Sequence, residues 1–254
     1  MDIALNGGDT AWVLASSALV LLMTPGLAFF YGGMVRRKSV LNMMMMSFVT
    51  IGIVSILWVV FGYNLAFGYK SDSPWIGGIG FSGLGDAVNS FTNNGSAYPI
   101  PVLVFAAFQL MFAIITPALI SGAIADRAKF SAWAVFVALW STIVYFPVAH
   151  WVFDFGSTDT AGAGWLAARG VLDFAGGTAV HINAGAAGLA LALVLGKRVG
   201  FKREAMRPHS LPLVLLGAGL LWFGWFGFNG GSALTVGALA STAVINTQIA
   251  ASAA

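Results

Sequence analysis

The sequence has 254 residues, of which 59% are hydrophobic and only 8% are charged. Soluble domains carry about 25% charged residues, so this composition predicts an integral membrane protein with several spans. It also argues against a nucleic-acid-binding protein, despite a formal net charge of +3. Cysteine is absent, which excludes a disulfide framework and a thiolate metal site.

Seven apolar segments follow one another along the chain, and each is about long enough to cross a bilayer. To within a few residues they cover 10–33, 41–67, 99–124, 131–153, 175–196, 210–230 and 234–254. Residues 1–9 contain no Lys or Arg, so the first segment is a retained helix rather than a signal peptide. Loop 68–98 is rich in Gly, Ser and Asn and is predicted to be irregular apart from a short helix. The seventh segment ends without a basic or aromatic anchor, which predicts a fragment of a longer protein.

The basic residues predict how these segments are oriented. Ten of the twelve Lys and Arg residues lie in the connections 34–40, 125–130 and 196–209. The other connections hold only Lys70 and Arg169. The positive-inside rule therefore places the ten-cation set in the cytoplasm and the N-terminus outside.

The third segment carries aromatic residues on one helical face. Phe105, Phe108 and Phe112 stand at i, i+3 and i+7, with Gln109 beside them. Two phenyl rings on a pore-lining face can form a hydrophobic gate. The same spacing also occurs in ordinary packing, so both interpretations stay open at this point.

Aromatic residues also mark the end of the fourth segment and the loop after it. Phe153 and Trp165 are candidates to hold a small cation over their rings, and an interfacial aromatic belt is the alternative. His150 and Asp154 are four residues apart, but no further ligand lies near them, so no metal site is predicted.

The most distinctive stretch, 173–188, opens the fifth segment. Asp173 stands at its start, where its carboxylate is predicted to accept backbone N–H groups, and Asp173→Asn is predicted to keep most of this cap. His181 follows eight residues later, about 12 Å along a helix. An ionisable side chain in an apolar span is functional by default. The alternative is a neutral histidine that hydrogen-bonds to a neighbouring helix.

The sixth segment is dense in aromatic residues and glycine and includes Trp225 and Phe228. Ser232 falls at its outer end and is predicted either to accept a hydrogen bond from a ligand or to cap the next helix. His209, in the preceding basic connection, is predicted to be solvated. No P-loop, nucleophile elbow or metalloprotease pattern is present, so the sequence predicts neither an enzyme nor a cofactor.

Several of these stretches together resemble one known family. Residues 173–183 (DFAGGTAVHIN) are closely similar to the signature of the ammonium transporter and methylammonium permease family, relatives of the Rhesus proteins. Residues 25–33 (PGLAFFYGG), 196–198 (GKR), 208–212 (PHSLP) and 224–232 (GWFGFNGGS) are also similar. The resemblance runs over the whole chain.

The resemblance implies a fold and an assembly. It implies an all-α integral membrane bundle of eleven spans, in which spans one to five and six to ten form an inverted repeat. Residues 1–254 then form a truncated ammonium transporter domain that holds spans one to seven and lacks spans eight to eleven and the cytoplasmic tail. It further implies a homotrimer in which each protomer has its own pore.

The resemblance also implies roles for single residues. Ser232 resembles the hydroxyl of the outer ammonium site, Asp173 the aspartate below it, and His181 the first histidine of a twin pair in the pore. The implied set is Ser232, Asp173, Phe108, Phe153 and Trp165 for ammonium recruitment, Phe108 and Phe112 for a stacked phenyl gate, His181 for proton relay, and Trp225 and Phe228 for the pore wall.

Two departures from the family pattern matter. The outer-site tryptophan of the family matches Phe153 here, which leaves Trp165 as a substitute. The second pore histidine belongs to a later span that this chain lacks.

The resemblance implies transmembrane transport of ammonium in an inner or plasma membrane, for nitrogen uptake. NH4+ is recruited at the outer site and deprotonated, and NH3 crosses a hydrophobic pore. Methylammonium is the expected analogue, and a P-II type regulator is the expected partner through the absent C-terminal part. The alternatives are a membrane ammonium sensor that signals to a cytoplasmic partner, and a Rhesus-like channel for neutral NH3 or CO2.

Overall fold

The computed structural model describes residues 5–68, 73–78, 83–85, 100–156 and 163–254. Its regular elements are helices, which form the following series: α1 Gly7–Met34, α2 Arg37–Phe67, α3 Val102–Ile124, α4 Phe130–Phe153, α5 Gly177–Leu195, α6 Leu211–Ala233 and α7 Ala238–Ala253.

This series confirms the predicted all-helical membrane fold. In the described part of the chain, α1 to α6 have 19 to 31 residues each and are apolar enough to cross a membrane. Helix α7 forms where the seventh segment was predicted but has 16 residues, so a seventh span stays a prediction. Most of loop 68–98, including its predicted short helix, lies outside the described residues.

Three of the long helices contain a π-helical stretch: Trp58–Gly62 in α2, Ser141–Tyr145 in α4 and Gly177–Ile182 in α5. A π-helical turn adds a residue to the ordinary helical repeat and often occurs at functional sites. The stretch in α5 carries His181, so the direction of this side chain differs from what a regular helix would give.

Helices α1 and α6 pack at very short range because glycine lines their contact. A Cβ built on Gly217 would lie 2.3 Å from the backbone nitrogen of Phe30, and one on Gly227 would lie 2.8 Å from the carbonyl oxygen of Ser16. No side chain fits at either place without a backbone shift. Since position 16 faces 227 and position 30 faces 217, the two helices run antiparallel. This close approach is typical of helix pairs in membranes.

The three basic connections meet at one end of the bundle. The Nδ1–H of His209 donates to the carbonyl oxygen of Val35 at 3.0 Å, and Arg36 donates to the carbonyl oxygen of Val199 at 3.0 Å. Arg127 donates to the carbonyl oxygen of Gly196. His209 is exposed, as predicted, and its ring also joins the end of α1 to the start of α6. Which side of the membrane this end faces stays a prediction.

His150 joins three segments at the opposite end. Its ring is 1% exposed, with Nδ1 3.0 Å from the carbonyl oxygen of Ala66 and Nε2 3.0 Å from that of Ser73. Asp154 lies 3.2 Å from Nδ1. These contacts hold the end of α2 and segment 73–78 against α4, which is a structural role.

Candidate functional site

A cavity of about 150 Å³ opens at the end of the bundle that carries His150, between the first half of α3, the start of α5 and the ends of α4 and α6. Its lining residues are Phe105, Phe108, Gln109, Phe112, Phe153, Phe155, Asp173, Phe174, Ser232, Ala233, Leu234 and Leu239. Five of the nine residues to which the resemblance gave roles share this cavity: Ser232, Asp173, Phe108, Phe112 and Phe153.

Two aromatic lining residues, Phe155 and Phe174, were missed as site residues from the sequence. The sequence feature that could have indicated them is their position next to predicted site residues, since Phe174 adjoins Asp173 and Phe155 stands two residues after Phe153. Both lie in connections without a helical repeat, so no periodicity pointed to them.

Asp173 organises the wall of the cavity through its carboxylate. Oδ1 accepts from the backbone nitrogens of Gly176 at 2.6 Å and Gly177 at 2.8 Å. Oδ2 accepts from those of Thr178 at 2.8 Å and Ala179 at 3.0 Å. This confirms the predicted cap at the start of α5. It corrects the expectation for Asp173→Asn, because an amide has one acceptor oxygen and keeps two of the four bonds.

A left-handed glycine makes this cap possible. Gly176 has φ +98°, a conformation that glycine adopts at low cost. A Cβ at this position would also lie 2.7 Å from Cγ2 of Val180. The first glycine of the GG pair in the 173–183 stretch, Gly176, is therefore required by the backbone that wraps around the Asp173 carboxylate.

Ser232 presents an acceptor to the cavity. It lies in the 3₁₀ turn Gly231–Ala233 at the end of α6. Its hydroxyl donates to the carbonyl oxygen of Phe228 at 2.7 Å, so the proton is engaged and the oxygen lone pairs remain for a ligand. A Cβ on Gly231 would lie 2.9 Å from the ring of Phe108, which shows how closely α3 approaches this turn.

Two phenyl rings of α3 form the floor of the cavity, and a third ring lies behind them. Phe108 and Phe112 are 1% and 2% exposed, and their centroids are 4.9 Å apart at 73°. The two rings are thus edge to face rather than stacked, in contrast to the implied stacked gate. Phe228 lies 4.5 Å from Phe112. Phe228 does not line the cavity, so it packs behind Phe112 on the side of the floor away from the cavity.

His181 lies on the far side of that floor. Its ring centroid is 5.9 Å from that of Phe228 and 6.4 Å from that of Trp225, with 17° between the latter planes. Trp225 and Phe228 thus sit beside the predicted relay histidine. The His181 side chain is exposed in this chain. So are Ile182 at 65% and Leu189 at 63%, which leaves an apolar face of α5 open.

Trp165 is not among the residues that line the cavity. It stacks on Trp75 with centroids 5.3 Å apart, and Trp151 meets it edge-on at 5.6 Å. The Arg169 guanidinium lies 5.1 Å from the same ring. A cation already occupies the surface of Trp165, so Phe153 is the candidate aromatic residue that the structure brings to the site.

Comparison with known proteins bears on what this arrangement does. Residues 11–254 match the model of the Ammonium Transporter Family. An ammonium transporter of Mycobacterium tuberculosis H37Rv is 56% identical over 262 residues, covering 98% of this chain and 55% of that protein. Ammonium transporter Amt1 of Archaeoglobus fulgidus is 47% identical over 250 residues, covering 98% of this chain and 59% of that protein.

Solved structures show the same likeness. The crystal structure of Candida albicans Mep2 aligns with a TM-score of 0.83 and 33% identity, covering 99% of this chain and 54% of that chain. A structure named Sensor Amt Protein aligns with a TM-score of 0.85 and 31% identity, covering 96% of this chain and 59% of that chain. The chain thus spans little more than half the length of the relatives it matches.

Proposed function

We propose that this chain, which belongs to the Ammonium Transporter Family, is the N-terminal portion of a longer protein that transports ammonium across a membrane. The observation that carries the proposal is the cavity in which Ser232 and Asp173 meet a cluster of aromatic rings above a phenyl floor. Six apolar helices in the described ranges make the chain a multi-pass membrane protein. Residues 1–254 are then the first part of a single transporter domain.

The cavity recruits NH4+ through three kinds of contact. The Ser232 oxygen accepts an N–H, as its lone pairs are available. The faces of Phe108 and Phe153 attract a cation by their ring quadrupoles, at about 0.5–2 kcal/mol each. The Asp173 carboxylate adds negative charge beside the cavity, although its oxygens already accept four backbone N–H groups.

The floor below the cavity opposes the passage of an ion. Phe112 and Phe228 present apolar surface, and moving an unpaired charge into such surroundings costs many kcal/mol. Neutral ammonia avoids that cost. NH4+ therefore loses a proton near the floor, NH3 passes, and the proton moves by way of histidine. Histidine suits this task because its unperturbed pKa of about 6.5 permits both protonation states near neutral pH.

His181 alone cannot complete a relay across the membrane. The other histidines of the chain are engaged elsewhere, His150 with Ala66 and Ser73 and His209 with Val35. We place a second pore histidine in the part of the protein beyond residue 254. That part covers the exposed face of α5 and completes the pore.

The remaining assignments follow from the family. The whole protein forms a homotrimer in the inner or plasma membrane and takes up ammonium, with methylammonium as an analogue. A P-II type protein regulates it through the later C-terminal part. These proposals draw on the likeness to ammonium transporters.

Methylammonium uptake in cells tests the proposal. The full-length protein that contains this chain is expected to give uptake that ammonium competes, whereas residues 1–254 expressed alone are expected to give none. In the full-length protein, His181→Ala is expected to abolish the ammonium-dependent current while the protein still assembles. His209→Ala is the matched control, because it removes an imidazole at the other end of the bundle. Robust uptake by residues 1–254 alone would show that the second histidine is not needed.

A sensor is the second candidate, and the likeness to Sensor Amt Protein favours it. A sensor binds ammonium in the same cavity but gives a conformational signal instead of net flux. Saturable ammonium binding by the purified full-length protein, without uptake or current, would distinguish this role from transport.

A further inference from the structure

Gln109 is a buried polar residue to which the proposed function gives no role. It lies on α3 next to Phe108, it is 8% exposed, and it lines the cavity. No hydrogen bond between described residues engages its carboxamide. Its amide atoms are not among the fully buried polar atoms that lack a partner, so they stay accessible from the cavity. The partner of Gln109 therefore has to come from whatever occupies the cavity.

The other polar groups of the cavity show what such an occupant meets. The Asp173 oxygens accept four backbone N–H groups, so its carboxylate contributes charge more than free lone pairs. The Ser232 oxygen keeps lone pairs because its proton is donated to Phe228. The carboxamide oxygen of Gln109 has two lone pairs and no partner in the described ranges. The cavity thus offers two neutral oxygen acceptors beside a negative charge.

We propose that Gln109 is a specificity-determining residue whose Oε1 accepts an N–H from an ammonium or primary alkylammonium ion in the cavity. This inference rests on the proposed function, because it requires the cavity to be the outer ammonium site. Ions with several N–H donors engage the oxygens of Gln109 and Ser232 together. A quaternary ammonium ion has no N–H and engages neither oxygen by a hydrogen bond.

The test measures KM and maximal rate of methylammonium uptake by the full-length protein. Gln109→Met keeps the length and shape of the side chain but removes the strong acceptor. The proposed hydrogen bond forms when the charged substrate binds, so its loss affects KM rather than maximal rate. The KM of Gln109→Met is therefore expected to rise about tenfold or more. Maximal rate per folded protein is expected to stay within about twofold.

Two further variants sharpen this result. Gln109→Glu keeps an acceptor oxygen at the same reach and is expected to leave KM unchanged or lower. Gln248→Met is the matched control, since Gln248 is exposed on α7 and donates only to Ser252, and it is expected to behave like the parent.

The outcomes separate this inference from the proposed function. A parental KM in Gln109→Met would overturn the inference, because water alone would then satisfy the amide. Should Gln109→Met fail to fold, Gln109→Leu decides, since leucine also lacks an acceptor: a KM raised about tenfold or more supports the inference, and a parental KM overturns it. Absence of uptake by the parent protein itself would instead contradict the proposed function.

Discussion

Removal of the Asp173 carboxylate should destabilise the start of α5 by an amount that the structure permits us to work out. The carboxylate accepts four backbone N–H groups, and two of them belong to the buried residues Gly176 and Ala179. A buried donor without a partner costs about 1–3 kcal/mol. Asp173→Ala is therefore expected to lower the free energy of unfolding by about 2–6 kcal/mol. Water can replace the bonds of Gly177 and Thr178, which are exposed and half-buried.

Asp173→Asn is expected to have about half this effect. One buried donor bonds to Oδ1 and the other to Oδ2. An asparagine offers a single acceptor oxygen, so it loses one buried partner whichever way the amide turns. The expected cost is about 1–3 kcal/mol.

Two measurements on the chain in detergent micelles check this reasoning. Denaturant unfolding gives the free-energy differences between parent, Asn and Ala proteins. Hydrogen exchange reports the amides of Gly176, Gly177, Thr178 and Ala179 directly, and these should lose protection in the Ala variant. Glu204→Gln is the control, since it removes an exposed carboxylate at the other end of the bundle. An Ala variant that unfolds like the parent, with the four amides still protected, would refute the reasoning.

Two more predictions follow from the site and the topology. Phe108→Ala in the full-length protein should change the rate or selectivity of methylammonium uptake without loss of assembly, since it removes one ring of the cavity floor. Normal uptake would assign Phe108 to packing. Phe136→Ala on α4 is the aromatic control. This chain is free of cysteine, so Arg169→Cys and Lys202→Cys each place a single thiol at an exposed position. The thiol at 169 should react with an impermeant maleimide in intact cells, and the thiol at 202 should not. The opposite pattern would reverse the proposed orientation.

The sequence alone determined the features of this protein that depend on local chemistry. Apolar runs of span length predicted the helices, because a backbone in hydrocarbon must satisfy its own hydrogen bonds. The cap at Asp173 was also predictable, because the backbone N–H groups that it accepts lie only three to six residues away in the sequence. The clustering of basic residues correctly grouped three connections at one end of the bundle.

Only the tertiary structure decided which distant side chains meet. Phe228 reaches Phe112 although 116 positions separate them in the sequence, because glycine lets α1 and α6 approach closely and so fixes where α6 stands. Phe153 reaches the cavity while Trp165 is held by Trp75 and Arg169. Helical periodicity places a residue on a face of its own helix, but the neighbour of that face depends on packing between helices. For the same reason the sequence showed Gln109 beside its phenylalanines but could not show that the helices around it leave its amide facing a cavity.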